Sequence, residues 1–377
     1  MNRDFIMVAR LVIASAGSGK TTSIVKEAIQ KSKIENVLIT TYTDANAEGI
    51  RQKLIKEIGC VPSNITVQTW FSFLLQHGVR PYQGSIGINK NMWDCPIVGC
   101  LLTDGDSAII QRGGKTFRKN SKNYSYYLTQ DNKIFTDKLS EFAIKCNQNN
   151  QVINRLSKIF QYIFIDEVQD FSGYDLDFLA LLIESPITLI MVGDPRQSTY
   201  RTSNVRYNCQ YAGGNMVQFI SDKCLDRYVS VDTTSNITNY RCNKNICDFS
   251  NMLFLNYPQA RALYERYEGY EHQGIFLISS GDVARYISTY NPVQLRWNKG
   301  KDVYHNAPVY NLGESKGLEF DRVLIYPTRP FINWLRDHSS NLPDEARAKF
   351  YVGLTRAKYS VGIVCDKDIE NIERWIP

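Results

Sequence analysis

The segment from residue 14 to residue 21, Ala-Ser-Ala-Gly-Ser-Gly-Lys-Thr, constrains the fold more than any other feature of this chain. A short apolar run at residues 7–13 precedes it, and residues 22–29 follow it with helical spacing of apolar side chains. A buried strand, a glycine-containing loop and a helix in this order form the phosphate-binding loop of α/β nucleotide-binding proteins. The sequence therefore predicts that the chain binds a nucleoside triphosphate.

The residues of this loop have separate predicted roles. Gly17 and Gly19 let backbone N–H groups close around the phosphates, and the following helix adds the positive end of its dipole. Lys20 is expected to reach the β- and γ-phosphates, and Thr21 is expected to hold Mg²⁺. The predicted nucleotide contacts are Ala16, Gly17, Ser18, Gly19, Lys20, Thr21 and Thr22. Ala14 stands where the strict pattern has glycine, and it is small enough to fit.

Continuous apolar runs predict two α/β units. In the first part of the chain these runs lie at residues 7–14, 37–42, 65–69, 162–165 and 187–192. A second set lies at residues 274–278, 323–326 and 359–365, with helical patterns at 283–290 and 346–354. Strands that are apolar throughout are covered on both faces, as in parallel sheets. We therefore predict an α/β fold with a first core at residues 1–80 and 151–235, an insertion at 81–150 and a second core at 236–377.

The composition is that of an ordinary globular protein, with 43% apolar and 22% charged residues. The formal net charge of +6 is compatible with a polyanionic partner but does not require one. The nine cysteines are scattered and never spaced Cys-x-x-Cys, which favours reduced cytosolic thiols over a metal cluster. No apolar run reaches the ~18 residues that a membrane helix needs, and no targeting signal is recognisable. We therefore expect a cytoplasmic protein with no membrane partner.

Within the predicted insertion, residues 111–127 combine cations with aromatic rings and contain no acidic residue. The cations are Arg112, Lys115, Arg118, Lys119 and Lys122, and the aromatic residues are Phe117, Tyr124, Tyr126 and Tyr127. Cations contact phosphates and aromatic rings stack on bases, so this pattern is typical of single-strand binding. An exposed, tyrosine-rich loop or hairpin without a ligand explains the same pattern equally well.

Two adjacent carboxylates follow the predicted strand at residues 162–165. Asp166 and Glu167 would lie at the carboxyl edge of the sheet, where α/β nucleotide sites are built. Asp166 is expected to hold Mg²⁺ through water, and Glu167 to orient and deprotonate the attacking water. The next predicted strand ends at the same edge and places Gln197 to contact a γ-phosphate.

Eight sequence blocks in a fixed order resemble the UvrD/Rep/PcrA-like branch of superfamily 1 helicases. They lie at residues 14–21, 41–44, 69–73, 166–170, 193–200, 239–241, 315–321 and 351–357. The resemblance implies two RecA-like cores with ATP in the cleft between them. It also implies that Arg241 and Arg356 reach the γ-phosphate from the second core and stabilise transition-state charge, and that Glu319 lies near the ribose. No guanine-reading Asn-Lys-x-Asp motif occurs, so Mg²⁺-ATP is the expected ligand.

The chain departs from the family pattern at several positions. The family usually has a glutamine upstream of the phosphate loop that reads adenine, whereas none of the 13 residues before Ala14 is glutamine. Thr202 stands where the family generally has a tryptophan on which a base stacks, and Phe71 stands where it has a histidine. Asn311 and Gly313 replace a threonine and a histidine. We therefore expect adenine recognition to differ from the family pattern, and the motifs by themselves do not secure strand binding.

Several candidate nucleic-acid contacts remain despite these departures. They are Tyr42, Thr69, Trp70 and Tyr200, together with the cations of residues 111–127. A stacked aromatic ring contributes roughly 1–3 kcal/mol per base. The interval between Arg241 and Asn311 has no room for the bulky helical subdomain of large relatives. The resemblance therefore describes a compact family member.

The motifs together predict an ATP-dependent translocase or helicase that moves 3′ to 5′ along single-stranded or partly duplex DNA. A different class of protein explains the same hydrolysis residues: a regulatory ATPase that senses nucleic acid or a partner such as a nuclease, without sustained unwinding. The departures on the nucleic-acid side favour that alternative. An RNA helicase is a more distant alternative.

Overall fold

The computed structural model describes residues 9–85, 96–103, 105–112, 114–203, 205–224 and 229–377. Within these residues the chain forms two compact units. The first unit comprises the described parts of Met1–Val12, Thr21–Gly193 and Arg201–Asp232, and the second comprises Ile13–Lys20, Asp194–Tyr200 and Thr233–Pro377. The phosphate-binding loop therefore groups with the second unit, although the strand that precedes it belongs mainly to the first.

The secondary structure alternates between strands and helices along most of the chain. The strands are β1 (Ala9–Ile13), β2 (Val37–Thr41), β3 (Ile65–Thr69), β4 (Gly99–Leu101), β5 (Ile109–Arg112), β6 (Lys115–Arg118), β7 (Lys133–Phe135), β8 (Tyr162–Asp166), β9 (Thr188–Gly193), β10 (Val229–Asp232), β11 (Thr238–Asn243), β12 (Arg261–Tyr264), β13 (Gly274–Ile278), β14 (Val293–Arg296), β15 (Val309–Asn311), β16 (Phe320–Ile325), β17 (Ala357–Val364) and β18 (Glu373–Arg374). The α-helices are α1 (Lys20–Lys31), α2 (Asp44–Ile58), α3 (Trp70–Phe73), α4 (Tyr124–Tyr127), α5 (Thr136–Cys146), α6 (Gln151–Ile159), α7 (Tyr174–Ile183), α8 (Met216–Lys223), α9 (Lys244–Asn251), α10 (Val283–Tyr290), α11 (Arg329–Arg336) and α12 (Asp344–Leu354).

The first unit is built on a six-stranded sheet in the order β10-β1-β9-β8-β2-β3. β2 pairs in parallel with β3 and β8, β8 with β9, and β1 with β10. Every residue of β2 is buried, as expected for a strand covered on both faces. The carboxyl ends of β8 and β9 lie side by side because Asp166 pairs with Val192.

The second unit contains a six-stranded parallel sheet in the order β15-β14-β16-β17-β13-β18. Its main core packs Leu277, Leu295, Val323 and Val361 against side chains of α9, α11 and α12. The predicted α/β fold with two parallel sheets is therefore confirmed. The sequence missed β14 because its second residue, Gln294, is polar and wholly buried, accepting a hydrogen bond from Tyr326 over 2.6 Å.

The predicted insertion joins the core of the first unit through α5. Almost every residue of α5 is buried, and the helix packs against α7 and a π-helical turn at Leu74–Val79. The periodicity at residues 137–144 marks this helix, and its buried polar residues are paired internally. Lys138 contacts Asp106 over 2.7 Å and Asp137 over 3.0 Å, with no exposure of its own side chain.

Among the described residues, no helix combines the length and apolarity needed to cross a membrane. The eight cysteines in the described part of the chain are all free thiols. Cys95 lies outside the described residues.

Candidate functional site

The phosphate-binding loop requires glycine at two positions for different reasons. Gly17 has φ +70° and Gly19 has φ +77°, and both values lie in the left-handed region that glycine adopts without strain. A Cβ atom added at Gly17 would overlap with Asn239 Oδ1. The loop turns tightly, since the N–H of Ser18 donates to the carbonyl of Ser15 over 3.3 Å. Residue 17 lacks space for a side chain, and residue 19 lacks a suitable backbone conformation for one.

The polar groups of the loop fit an anionic ligand. The hydroxyl of Ser18 is buried and has no hydrogen-bond partner within the described residues. Because buried polar atoms are nearly always paired, a ligand oxygen or an ordered water would supply the missing partner of this hydroxyl. α1 begins at Lys20, so the first N–H groups of this helix also lack intrahelical partners. Lys53 Nζ donates to Thr22 Oγ1 over 3.3 Å and adds positive charge near the helix start.

Backbone hydrogen bonds fasten the loop to the segment before and within β11. The N–H of Ser15 donates to the carbonyl of Asn236 over 2.9 Å. The N–H of Tyr240 donates to the carbonyl of Gly17 over 2.9 Å. These bonds explain why the loop groups with the second unit.

Arg241 lies beside the loop and is held by an acidic partner. A Cβ atom at Gly17 would be 3.0 Å from the Cβ of Arg241. Arg241 Nε donates to Glu319 Oε2 over 2.8 Å, and its Nη1 donates to the carbonyl of Thr355 over 3.1 Å. Burial raises the pKa of Glu319, but Arg241 and Lys358 outweigh it and hold that pKa below its ordinary value. Glu319 is therefore an anion that orients Arg241.

Gln197 and Arg356 form a direct hydrogen bond inside the second unit. Arg356 Nη2 donates to Gln197 Oε1 over 2.9 Å, and Gln197 Nε2 donates to Asp194 Oδ2 over 2.7 Å. Arg356 is 2% exposed, and its other nitrogens donate to the carbonyls of Val352 and Leu318. The structure thus brings together two predicted site residues that are 159 positions apart in the sequence.

The two predicted catalytic carboxylates lie at the end of β8. Asp166 Oδ2 accepts a hydrogen bond from Thr21 Oγ1 over 2.9 Å, and its Oδ1 accepts from the N–H of Glu167 over 3.0 Å. The backbone of Glu167 has φ +61°, which is strained for a residue with a side chain and is typical of functional sites. Gln169 Nε2 donates to Glu167 Oε2, so the buried carboxylate is oriented by a hydrogen bond.

Thr21 and Asp166 have the donor chemistry that Mg²⁺ prefers. Magnesium binds hard oxygen ligands and usually takes one or two protein groups while keeping several waters. A hydroxyl and a carboxylate already in contact match that requirement. No group of three or more His, Cys, Asp or Glu side chains that could hold a metal occurs in the part of the chain that the structure describes.

Trp70 is not available to stack on a base, so this prediction was wrong. Its side chain has no solvent exposure and packs against Phe171 and Phe178. Its Nε1 donates to Asp175 Oδ1 over 2.7 Å. Asp175 is fully buried, and burial raises the pKa of its carboxyl. The helical start at α3 turns Trp70 into the core because residues 70 and 73 share its buried face.

The accessible aromatic pair near this segment is Tyr42 with Phe71. Both side chains are half-buried, and their ring centroids are 5.6 Å apart in an edge-on arrangement. Thr69 instead caps α3, since its Oγ1 accepts a hydrogen bond from the N–H of Ser72 over 3.4 Å. The residue that differs from the family histidine therefore contributes the second accessible ring.

The departures at residues 202 and 313 have different structural consequences. Thr202 is buried, and its Oγ1 accepts from the N–H of Ser172 over 3.0 Å, so it faces the protein interior. Tyr200 is 36% exposed. A Cβ atom at Gly313 would lie 3.3 Å from Tyr200 Oη, so glycine leaves room for this tyrosine.

Residues 111–127 divide into an exposed hairpin and a buried helical turn. β5 and β6 pair antiparallel, and all four residues of β6 are exposed, including Lys115, Phe117 and Arg118. Lys122 is exposed, whereas Lys119 is half-buried with its Nζ 4.8 Å from the ring centroid of Phe135. Arg112 lies at the end of β5.

Two tyrosines of this segment do not contribute an exposed stacking surface. Tyr126 and Tyr127 are buried in α4, and their hydroxyls donate to Glu141 over 2.9 and 3.0 Å. These two rings are therefore not available to stack on bases. Tyr124 is half-buried.

A cavity of about 450 Å³ in the second unit was not found from the sequence. It lies beyond the carboxyl ends of β14 and β16 and is lined by Trp297, Asn298, Lys301 and Arg329, among others. Lys349 Nζ lies 3.9 Å from the ring centroid of Trp297. Lys301 and Arg329 give the cavity positive charge that suits a phosphate group, whereas Lys349 covers the Trp297 ring and pairs with Glu345.

Two further residues that the sequence did not single out contact the phosphate loop directly. Arg196 Nη2 donates to the carbonyl of Ala14 over 3.0 Å, and Tyr351 Oη accepts from the N–H of Ala16 over 3.3 Å. Both lie inside family blocks, at residues 193–200 and 351–357. Their position in these blocks was the available signal, but only the fold shows which atoms they contact.

Comparison with known proteins gives two family matches along the chain. The UvrD/REP helicase N-terminal domain matches residues 6–92 and 105–206, which is half of the chain. The UvrD-like helicase C-terminal domain matches residues 298–367.

Curated relatives and solved structures give weaker similarities over parts of the chain. The chain is 24% identical to the ATP-dependent DNA helicase Rep of Buchnera aphidicola over 230 residues, covering 50% of this chain and 35% of that protein. It is 22% identical to the probable DNA helicase II homolog of Mycoplasma capricolum over 289 residues, covering 65% and 38%. The structure of Arterivirus nonstructural protein 10 (helicase) with DNA has 14% identity and a TM-score of 0.47, covering 96% of this chain and 61% of that one. The chain thus spans little more than a third of the length of these two curated relatives.

Proposed function

The chain belongs to the UvrD/Rep helicase family, and we propose that it is a Mg²⁺-ATP-dependent motor that moves along single-stranded DNA. The 3′-to-5′ direction follows from the family resemblance. The observation that carries the proposal is the contact between Thr21 and Asp166, with the strained Glu167 next to it. These are the residues that phosphoryl transfer requires at the end of a phosphate loop and at the end of another strand of the same sheet.

Each residue has a distinct part in the proposed hydrolysis. Backbone N–H groups of the loop and the Lys20 ammonium bind the phosphates. Thr21 and Asp166 hold Mg²⁺, which neutralises charge on the phosphate oxygens. Glu167 orients the attacking water and accepts its proton, and its buried, hydrogen-bonded carboxylate is fixed for that purpose.

Three side chains are proposed to respond to the γ-phosphate. Gln197 contacts it, and Arg241 and Arg356 stabilise the charge that develops during transfer. The direct bond between Gln197 and Arg356 supports a joint role for the two side chains. Glu319 fixes the orientation of Arg241 and lies near the ribose.

We assign the proposed nucleic-acid contacts from the exposure of aromatic rings and the charge of exposed side chains. The half-buried rings of Tyr42 and Phe71 and the exposed ring of Tyr200 offer stacking positions. The exposed cations at Lys115, Arg118 and Lys122 suit a phosphate backbone. Such contacts give affinity without base specificity, as a motor requires.

The alternative function is a regulatory ATPase that binds nucleic acid or a partner such as a nuclease without sustained unwinding. The burial of Trp70 and Thr202 favours this alternative, because both side chains face the protein interior and are not available to a nucleic-acid strand. The same hydrolysis residues would then drive a change in binding rather than movement.

The ATPase rate measured alone, with single-stranded DNA, with duplex DNA and with single-stranded RNA tests the proposal. We expect the largest stimulation with single-stranded DNA. Lys20→Ala should lose ATP binding, whereas Glu167→Gln should bind ATP with turnover reduced on the order of 10²- to 10⁴-fold.

The exposed Glu184, changed to Gln, provides a matched control that should hydrolyse ATP normally. Near-normal turnover of Glu167→Gln would contradict the assigned base. ATP hydrolysis without stimulation by any nucleic acid would replace the motor with the regulatory ATPase.

A further inference from the structure

We infer that Tyr351 and Arg196 are positioning residues that hold the phosphate loop by its backbone and link it, through Asp194, to Gln197 and Arg356. This inference rests on the proposed ATP hydrolysis. It concerns two side chains that do not themselves contact the nucleotide in the proposed mechanism.

Tyr351 supplies the acceptor for a buried amide of the loop. The N–H of Ala16 donates to Tyr351 Oη over 3.3 Å, and both residues are about 1% exposed. Water cannot replace the hydroxyl without opening this region, so the amide has no ready alternative partner. The ring of Tyr351 is fixed edge-on against Phe254, with centroids 5.5 Å apart. The hydroxyl therefore sets the position of the Ala16 amide.

Arg196 holds the same loop two residues earlier. Its Nη2 donates to the carbonyl of Ala14 over 3.0 Å, and its Nη1 donates to the carbonyl of Pro258 over 3.1 Å. The guanidinium carbon lies 5.9 Å from the ring centroid of Tyr257 and 5.5 Å from that of Tyr351. A planar group with donors in fixed directions can connect these carbonyls, whereas a flexible ammonium cannot match both.

Asp194 connects this pair to the residues proposed to respond to the γ-phosphate. Its Oδ1 accepts from Arg196 Nε over 2.7 Å, and its Oδ2 accepts from Gln197 Nε2 over 2.7 Å and from Tyr351 Oη over 3.4 Å. Asp194 is wholly buried, so one carboxylate anchors both the loop and Gln197. Arg356 is the next member of the network through its bond to Gln197.

As a consequence, nucleotide affinity should depend on the hydroxyl of Tyr351, which is distant from the loop in sequence. Without its acceptor, the Ala16 amide gains hydration only in loop conformations that differ from the ordered one. A nucleotide that binds the ordered loop then loses affinity in proportion to the population of that conformation. The loss should be similar for ATP and ADP, because the backbone of the loop binds phosphates that both share.

Tyr351→Phe tests the inference because it removes only the hydroxyl. We expect dissociation constants for ATP and ADP, measured by direct titration, to rise about 2- to 10-fold, the range of one net hydrogen bond. The KM for ATP should rise by a larger factor than kcat falls. Arg196→Lys, which keeps the charge against Asp194, should weaken both nucleotides at least as much.

Tyr286→Phe is the matched control. Tyr286 is equally buried in the second unit and bonds His272 over 3.0 Å, in a different core cluster from the loop. It should lower the thermal midpoint about as much as Tyr351→Phe does, with nucleotide affinity unchanged.

The outcomes separate the inference from the proposed function. The inference is overturned, while ATP hydrolysis stands, if Tyr351→Phe binds both nucleotides as tightly as the unmodified protein. The same holds if its dissociation constants change no more than those of Tyr286→Phe. If the unmodified protein binds no ATP, the proposed function itself fails.

Discussion

The phosphate loop and the β5–β6 hairpin differ in how their functional groups are held. The loop is fixed by buried hydrogen bonds from segments far away in sequence, including Asn236 and Tyr351. The hairpin instead presents all four residues of β6 to solvent. A change at the first site removes an interaction in a low-dielectric environment, whereas a change at the second removes a screened surface charge. Substitutions at the loop should therefore have large effects on ATP hydrolysis. Substitutions at the hairpin should have smaller effects on DNA binding, and these should depend on the salt concentration.

The largest effect is expected at Arg241. Arg241→Ala removes the guanidinium beside the loop, and removal of such an arginine from phosphoryl transfer lowers turnover on the order of 10³-fold. Steady-state ATP hydrolysis measures the effect, with circular dichroism to verify the fold. Lys358→Ala is the comparison, because Lys358 binds the same Glu319 over 3.1 Å but is placed to pair with acidic side chains alone.

A decrease in ATP turnover of less than about tenfold for Lys358→Ala would agree with an electrostatic role for that lysine. Equally slow turnover in the two variants would mean that orientation of Glu319, rather than transition-state charge on Arg241, limits turnover.

An intermediate effect is expected at the hairpin. Neutralising Arg112, Lys115, Arg118 and Lys122 should weaken single-stranded DNA binding and reduce the log–log salt slope by roughly 0.7 for each phosphate that the protein no longer neutralises. DNA-stimulated ATPase should fall in parallel, while basal hydrolysis changes little. Binding titrations at several salt concentrations give the slope.

Lys119→Gln provides a comparison for the same experiment, because Lys119 is the half-buried cation of this region. Burial lowers the pKa of Lys119, and its Nζ packs over Phe135, so this cation is less available to a phosphate. We expect a smaller decrease in DNA affinity and a measurable decrease in stability, about 0.5–1 kcal/mol for the cation–π interaction. Unchanged DNA binding after neutralising Arg112, Lys115, Arg118 and Lys122 would show that the hairpin does not contact DNA.

The smallest effect on DNA is expected at Trp70. Trp70→Phe leaves an aromatic ring in the core but removes the donor to Asp175, which should lower the free energy of unfolding by about 1–3 kcal/mol. Tyr42→Ala should instead weaken DNA binding by about 1–3 kcal/mol with little change in stability, if its half-buried ring stacks on a base. Chemical denaturation and DNA titration of both variants separate the two roles. Weaker DNA binding by Trp70→Phe at unchanged stability would contradict its structural role.

Local patterns predicted the parallel sheets because buried strands and their boundaries are visible in sequence. β3 and α10 have the bounds that their residues predict, and β8 extends only one residue further, to Asp166. β14 was missed because it buries the polar Gln294, so apolar periodicity does not mark it. α5 buries Lys138 and Glu141 in internal pairs, yet the periodicity at residues 137–144 still marks this helix.

The sequence by itself determined the phosphate loop, the carboxylates after β8 and the family, because each depends on residue types at short, fixed spacings. Only the tertiary structure decided which aromatic rings are exposed. Trp70 and Phe71 are neighbours in sequence, but the start of α3 directs one into the core and leaves the other half-buried. It likewise decided that Tyr351 bonds Asp194, because a hydrogen bond between residues 157 positions apart depends on how the chain packs.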